Sequence, residues 1–359
     1  MIHLRNKIAQ MLMMGFSGCV IDPSQPFAKT LREEGLGGVL LFDFDLASKA
    51  YGKNLVNIDQ IKQLTHQLST YAGLSTAGRE LPLLIALDYE GGAVDRLTKI
   101  PGCMKTMKAC DQALLSDEML YLEAEKMANT LKNLGINLNF APVVDLNLNL
   151  EQGIIGKLGR GFSADPELVI HAAKQFVQAF SDAGIACTYK HFPGHGSASG
   201  DTHEGFVDVT DSYQNSELKP YFSLLKDTQH PVMVMTAHVI NRQLDPSGLP
   251  ATLSYPILTE LLREKIGFKG VIVSDDLQMQ AISHHYTIDD ALMLTINAGA
   301  DMVIFANQLD TITADEVIDR IERLVLKGNI LSSRIDEAYQ RILTLKTSQN
   351  ITSLTLANA

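Results

Sequence analysis

The chain has 359 residues, of which 46% are hydrophobic and 20% charged, a globular composition that excludes disorder as the default state. Its formal net charge of −11, with no basic stripe carrying interleaved aromatics, excludes nucleic acid and anionic membrane surfaces as expected partners. The length admits two ordinary domains or one large α/β barrel, and the order of the elements decides between them.

The N-terminus opens Met-Ile-His-Leu-Arg-Asn-Lys, and its one apolar run, Met11–Phe16, is too short for the core of a secretory signal. No run anywhere is long enough to cross a membrane, so the cytoplasm is the expected location. The run reads instead as a first strand, Gln10–Phe16, with Met11–Met14 as core packing rather than a cofactor box. Seven more apolar runs bounded by turn signals follow: Gly38–Phe42, Leu83–Asp88, Asn137–Asp145, Ala186–Phe192, Val232–Val239, Gly270–Asp275 and Asp301–Phe305. Between most of them lie stretches with helical period: Ser116–Leu134, Pro166–Ala183, Ser216–Lys226, Tyr255–Lys265 and Thr287–Ala298. Residues Asp43–Asn57 and Gly73–Glu80 read as loops. Thr313–Thr347 predicts two closing helices joined at Gly328-Asn329, and residues 348–359 form a frayed tail.

Runs such as Val232-Met-Val-Met235 are apolar on both faces, as expected of a parallel sheet covered by helices on each side. Eight strand–helix units close most naturally into a single (β/α)8 barrel over residues 1–347. The alternative, an open doubly wound sheet, lacks the Gly-x-Gly-x-x-Gly that dinucleotide binding needs, and no cofactor is expected. Cys19, Cys103, Cys110 and Cys187 have no Cys-x-x-Cys spacing and read as reduced structural residues.

Polar residues gather at one end of the strands: Asp88, Asp145, Lys190 and His191, His238, and Asp275. In a barrel this is the C-terminal face, where active sites sit. Asp275 shares a strand face with Val271 and Val273 and is read as pointing inward, while Asp276 caps the helix that follows. After Lys190 and His191 comes a Gly- and Ser-rich loop carrying Asp201 and His203, near enough for the carboxylate to orient the imidazole for general acid–base work. Asp88-Tyr-Glu-Gly-Gly92 with Arg96 reads equally as a turn with a surface salt bridge and as a grip on vicinal hydroxyls. Arg160 and His195 each have a bland reading too, as a solvated cation and a loop-ordering hydrogen bonder, and His284 and His285 read as helix surface. A competing reading takes His191, His195, Asp201, His203 and His238 as zinc ligands, although no His-x-His or His-Glu-x-x-His occurs.

Lys190-His-Phe-Pro-Gly-His-Gly196 with Asp201-x-His203, Ser274-Asp-Asp-Leu-x-Met279, Asp88-x-Glu-Gly-Gly92 with Arg96, Ala141-Pro-Val-Val-Asp145 and Gly159-Arg-x-Phe162 together resemble the bacterial glycoside hydrolase family 3 β-N-acetylglucosaminidases. The likeness runs from about Leu4 to Lys346. It implies a retaining hydrolysis in which Asp275 is the nucleophile and His203, polarised by Asp201, the acid/base. It also implies that Asp88, Arg96, Arg160, Lys190 and His191 bind the sugar hydroxyls and the N-acetyl group. The large two-domain members take an acid from their second domain; this chain stops after the barrel, so the acid is expected within it. Peptidoglycan fragments are the implied substrate and a monomer the expected state, with a non-catalytic amino-sugar-binding barrel as a further alternative. A histidine acid/base, unlike a carboxylate, would tolerate a phosphate dianion, so phosphorolysis is an expected side route. Tyr89 and Gly161 depart from the glutamine and serine usual at those places, and Glu204 is not part of the pattern.

Overall fold

A computed structural model describes residues 2–73, 81–200, 205–226, 230–308 and 310–348. Eight strands form a closed ring: β1 (Leu12–Gly15), β2 (Gly38–Leu40), β3 (Leu84–Leu87), β4 (Leu138–Asn139), β5 (Ala186–Phe192), β6 (Val232–Thr236), β7 (Val271–Asp276) and β8 (Met302–Phe305). Each pairs in parallel with its neighbours in chain order, and β1 closes on β8 through Leu12–Val303. This is the (β/α)8 barrel, and the strands lie within the eight apolar runs, Asp276 extending one residue beyond.

The intervening helices are set by local signals. Ser116, Asp165, Thr287 and Thr313 each accept a hydrogen bond from a backbone N–H in the first turn of the helix they precede, satisfying one of its orphan donors. Two expected helices wind differently: Ser216–Lys226 is a 3₁₀ turn, Asn215–Leu218, followed by a short helix, Lys219–Leu224, and Pro256–Lys265 is a π-helix. Helices that the periodicity does not predict appear as well, among them Leu4–Gln10, Pro26–Glu33 and Ile58–Gly73. The C-terminal pair is Ala314–Leu326 and Ser332–Thr347, and both pack on Leu4–Gln10.

Below the barrel, at the N-terminal edge of β8, the fully buried Asp301 collects three arginines. Arg334 donates at 2.6 Å, Arg341 at 3.0 Å, and Arg263 completes the set, while Ile272 N–H donates to the same carboxylate at 3.0 Å. At the opposite end two register shifts interrupt the ladders, between Val234 and Thr236 on β6 and between Val273 and Asp276 on β7. Bulges of this kind re-aim side chains, and both lie at the face where the site forms.

The stretch Asp43–Asn57 is not a plain loop. Phe44–Asp45 pairs antiparallel with Ala50–Tyr51, and the arm so formed is fastened at both sides. Asn54 accepts from Phe42 N–H and donates to the carbonyls of Phe16 and Gly18. Lys53 reaches the Asn307 carbonyl and the Gln308 side chain, and Gln308 in turn donates to the Phe44 carbonyl at 2.9 Å. Sequence periodicity has no access to the Lys53 and Gln308 contacts, because the partners lie some 250 residues apart.

Candidate active site

The strand ends enclose a cavity of about 340 Å³ that is lined by Asp88, Glu90, Arg96, Arg160, Lys190, His191, His195, Asp275 and Asp276 on its polar side. Volumes of roughly 300–1,000 Å³ are usual for small-molecule sites.

Asp88 and Glu90 leave β3 two residues apart, so their side chains share a face and reach the same cations. Lys190, at the end of β5, places Nζ 2.9 Å from Asp88 and 2.7 Å from Glu90. Arg160 grips Glu90 with two parallel bonds of 2.8 and 2.7 Å, and Arg96 donates to Asp88 at 3.1 Å. Arg96 also lies 3.7 Å from Asp43 and over the face of Phe42. Burial works against ionising both carboxylates, but the cations outweigh it: Glu90 is pulled down to about 2, chiefly by Arg160 and Lys190, and Asp88 is held far below the usual carboxylate range by Lys190 and Arg96. Lys190 is buried, yet Asp88 and Glu90 raise its pKa. The wall is therefore charged and its acceptors and donors are fixed in place, able to offer charge-assisted hydrogen bonds to a polar ligand.

Asp145 sits behind this wall. It accepts from His191 Nδ1 at 2.7 Å and from the backbone N–H groups of His191 and His195. A carboxylate only accepts, so Nδ1 carries the proton and the ring's orientation is set. Burial would raise the Asp145 carboxyl, but His191 and the donated bonds lower it. His195 is buried, and desolvation followed by the neighbouring His191 pushes it down to about 4, so it is a neutral imidazole near pH 7. Its backbone belongs to a clasp: the buried Glu217 accepts from Gly196 N–H at 2.9 Å and Ser197 N–H at 3.3 Å, next to the His195 N–H held by Asp145. A Cβ at residue 196 would stand 2.0 Å from the Leu146 carbonyl oxygen, which explains glycine there.

On β7 the bulge turns Asp275 into the cavity. Its backbone N–H donates to Thr236 Oγ1 at 3.3 Å and its Oδ1 accepts from Asp276 N–H at 2.8 Å. Asp276 does not cap the following helix, as the sequence pattern had indicated; the residue before that helix is Met279. The Asp276 carboxylate instead accepts from Gln278 and Ala306 N–H, tying β7 to the segment after β8. His238 is fully buried between Thr252 Oγ1, at 2.8 Å, and the Asp276 carbonyl, at 2.9 Å, where it supports the strand end from behind.

The structure thus brings Asp88, Arg96, Arg160, Lys190, His191 and Asp275 to one cavity. Asp201, His203 and Glu204 lie outside the described residues. Among the described residues no group of three His, Cys, Asp or Glu side chains is placed to hold a metal ion. Tyr89 is buried and does not line the cavity, so its difference from the usual glutamine falls on core packing rather than on the wall. At Gly161 a Cβ would approach Asn147 Oδ1 and the Asp145 carbonyl oxygen to 2.6 Å, and Asn147 donates to the Gly161 carbonyl at 2.6 Å; a serine here would displace that contact.

Glu90 is the residue sequence reasoning undervalued, although its spacing from Asp88 was a usable signal. Its lowered pKa stabilises the fold fully above the ordinary value of 4.5, and this contribution is lost as pH falls from there toward about 2. Glu90→Gln is therefore expected to flatten the pH dependence of stability between those values, measured by urea titrations at several acid pH values. An unchanged slope would mean that Glu90 is not ionised in the fold.

Residues 3–345 match the Glycosyl hydrolase family 3 N terminal domain. The chain is 33% identical over 346 residues to Beta-hexosaminidase A of Pseudoalteromonas piscicida, covering 90% of this chain and 56% of that protein. It is 34% identical over 315 residues to a Beta-hexosaminidase of Alkalilimnicola ehrlichii, covering 84% of this chain and 82% of the relative. Among solved structures it is similar to a glycoside hydrolase family 3 beta-N-acetylglucosaminidase from a Paenibacillus species, with a TM-score of 0.84 and 32% identity, over 98% of this chain and 63% of that one. The chain thus spans little more than half of one curated relative and most of another. With a family match over nearly every residue and a barrel that superposes on a solved member, the chain belongs to glycosyl hydrolase family 3.

Proposed function

We propose that the protein is a retaining β-N-acetylglucosaminidase that removes terminal non-reducing N-acetylglucosamine, with peptidoglycan fragments as its natural source and the cytoplasm as its place of action. The observation that carries this reading is the convergence of Asp88, Arg96, Arg160, Lys190 and His191 on the same cavity as Asp275. The names of its relatives point the same way.

In the first step the leaving oxygen takes a proton from His203 while an Asp275 oxygen bonds to the anomeric carbon, giving a glycosyl ester. In the second, His203 removes a proton from water, the water oxygen bonds to the same carbon, and Asp275 departs as carboxylate. Two inversions leave the β configuration. Asp201 holds the histidine and favours its charged form, in place of the second carboxylate of the commoner scheme.

An aryl β-N-acetylglucosaminide assay followed by proton NMR tests the reading, with β-N-acetylglucosamine expected as the first product. The α anomer as first product would overturn retention, and no turnover of any N-acetylglucosaminide would overturn the activity. The same assay in millimolar phosphate shows whether a sugar 1-phosphate accompanies the free sugar. His203→Ala is expected to cost about 100- to 10,000-fold on substrates with poor leaving groups and far less on activated aryl glycosides, because a departing phenolate needs little protonation. A loss of the same size on both would remove His203 from the role of acid.

A further inference from the structure

The charged pairs share the cavity with an apolar surface, part of which is carried by the arm over Phe42–Lys53, whose Phe42 lies under Arg96. Phe42, Phe44 and Leu46 line the cavity from this arm, and Ile154 from the segment after β4. Leu46 is 46% exposed, and Phe44 stands half-buried at the rim with its ring edge-on to Tyr51, the centroids 5.0 Å apart. Side chains this exposed add little to the core, yet the arm is held with unusual care. Lys53 and Gln308 fasten it to the loop after β8, next to the Asp276 that follows Asp275.

The charge of the cavity narrows what this wall can receive. Among the described residues, the cations lining the cavity are Arg96, Arg160 and Lys190, and each already faces a carboxylate. A departing group with its own carboxylate finds no uncommitted cation among them. A neutral ring with an apolar face finds Phe44 and Leu46, since C–H edges are attracted to the negative face of an aromatic ring.

We propose that Phe44 and Leu46 are specificity-determining residues for the leaving group: they form a platform for a neutral ring next to the scissile bond, and Gln308 and Lys53 position that platform. This rests on the glycosidase reading above, in which the charged wall holds the N-acetylglucosamine unit. It makes the recognised part of the aglycone a neutral sugar ring, as in a chitooligosaccharide or in a muramyl residue whose lactyl carboxyl is amidated, and not an acidic peptide.

The test compares N,N′-diacetylchitobiose with N-acetylglucosaminyl fluoride, whose leaving group is too small to touch the arm. Phe44→Ala is expected to lower the ratio of kcat/KM for the disaccharide to that for the fluoride by about tenfold or more, since removing apolar contact in such a pocket costs 10- to 200-fold in discrimination. Gln308→Ala is expected to lower the same ratio less, through KM. Leu326→Ser, on the far surface and 78% exposed, serves as the control that moves neither rate. Equal losses on both substrates, or an unchanged ratio, would overturn the platform. If Phe44→Ala does not fold, the parent protein still decides. Cyclohexyl N-acetylglucosaminide should exceed the methyl glycoside by at least about tenfold in kcat/KM, and a 4-carboxycyclohexyl group should remove that gain. A parent that prefers methyl, or prefers the carboxylate, sinks the proposal. A parent that fails to hydrolyse even the fluoride sinks the glycosidase reading instead, so the two failures are distinct.

Discussion

Asp275→Ala is expected to lower kcat by at least about 10,000-fold while leaving the melting temperature close to that of the parent protein. The size of the loss follows from the proposed mechanism: in it, without the carboxylate no glycosyl ester forms, and the reaction must proceed by direct displacement from a site not built for it. The neighbours do not replace it. Both oxygens of Glu90 are taken up by Arg160 and Lys190, and the Asp276 carboxylate accepts from Gln278 and Ala306 N–H. The fold should survive because Asp275 lies at a strand end beside a cavity, outside the packed core. Azide, a small anion that fits the vacated space, should restore turnover and yield the α-glycosyl azide. A 5-fluoro glycoside should label the peptide that carries Asp275 in the parent protein. Residual activity within tenfold of the parent, or label on Asp276 or Glu90, would reassign the nucleophile.

Asp301→Ala should have the opposite signature, a large loss of stability with little change in the chemistry of whatever remains folded. The carboxylate is fully buried and is the common acceptor for Arg263, Arg334 and Arg341, so its removal leaves the buried Arg263 without a carboxylate partner and Arg334 and Arg341 with only the exposed Glu337. Breaking a buried ion pair by removing one partner costs about 3–5 kcal/mol, and this site is shared by three. Urea unfolding should show a midpoint shift of that size with an unchanged m-value. Asp301→Asn keeps the shape and should still lose most of it. A cost below about 1 kcal/mol for both variants would show that the arginines find other acceptors at no loss. Since Asp301 lies at the end of the barrel opposite Asp275, KM should stay near the parent value in the folded fraction.

These residues also show which parts of the molecule were legible beforehand. The eight strands could be read because each is a short apolar run between turn residues, and burial on both faces leaves that mark whatever the tertiary contacts are. Asp88, Lys190, His191 and Asp275 could be placed because a polar residue ending such a run must lie at the barrel's C-terminal face. Asp301 ends no run, and its arginines lie 33 to 40 positions away for Arg334 and Arg341, so nothing local announced their meeting. Glu217 was opaque for the same reason, since its ligands are backbone amides of Gly196 and Ser197, which carry no sequence signal. The stretch Asp43–Asn57 reads as a loop because the regular part of its arm is two residues on each side, too short for any period to show. The helix Pro256–Lys265 gave the right period and the wrong winding, because apolar spacing does not separate an α-helix from a π-helix over three turns.

The pairing of β1 with β8 bears on how the protein is made. Strand β1 leaves the ribosome early, but its partner Val303 is about 290 residues behind Leu12. At roughly 5–20 residues per second the first strand therefore waits some 15–60 s with one edge unsatisfied. Every residue of Leu12–Gly15 is buried in the finished barrel, so an apolar, unpaired edge is on show throughout that interval, which is when edge-to-edge association between nascent chains is favoured. Demand for chaperone protection should accordingly be set by the time to translate β8, and slowing translation anywhere between β1 and β8 should raise the aggregated fraction more than slowing it after Phe305.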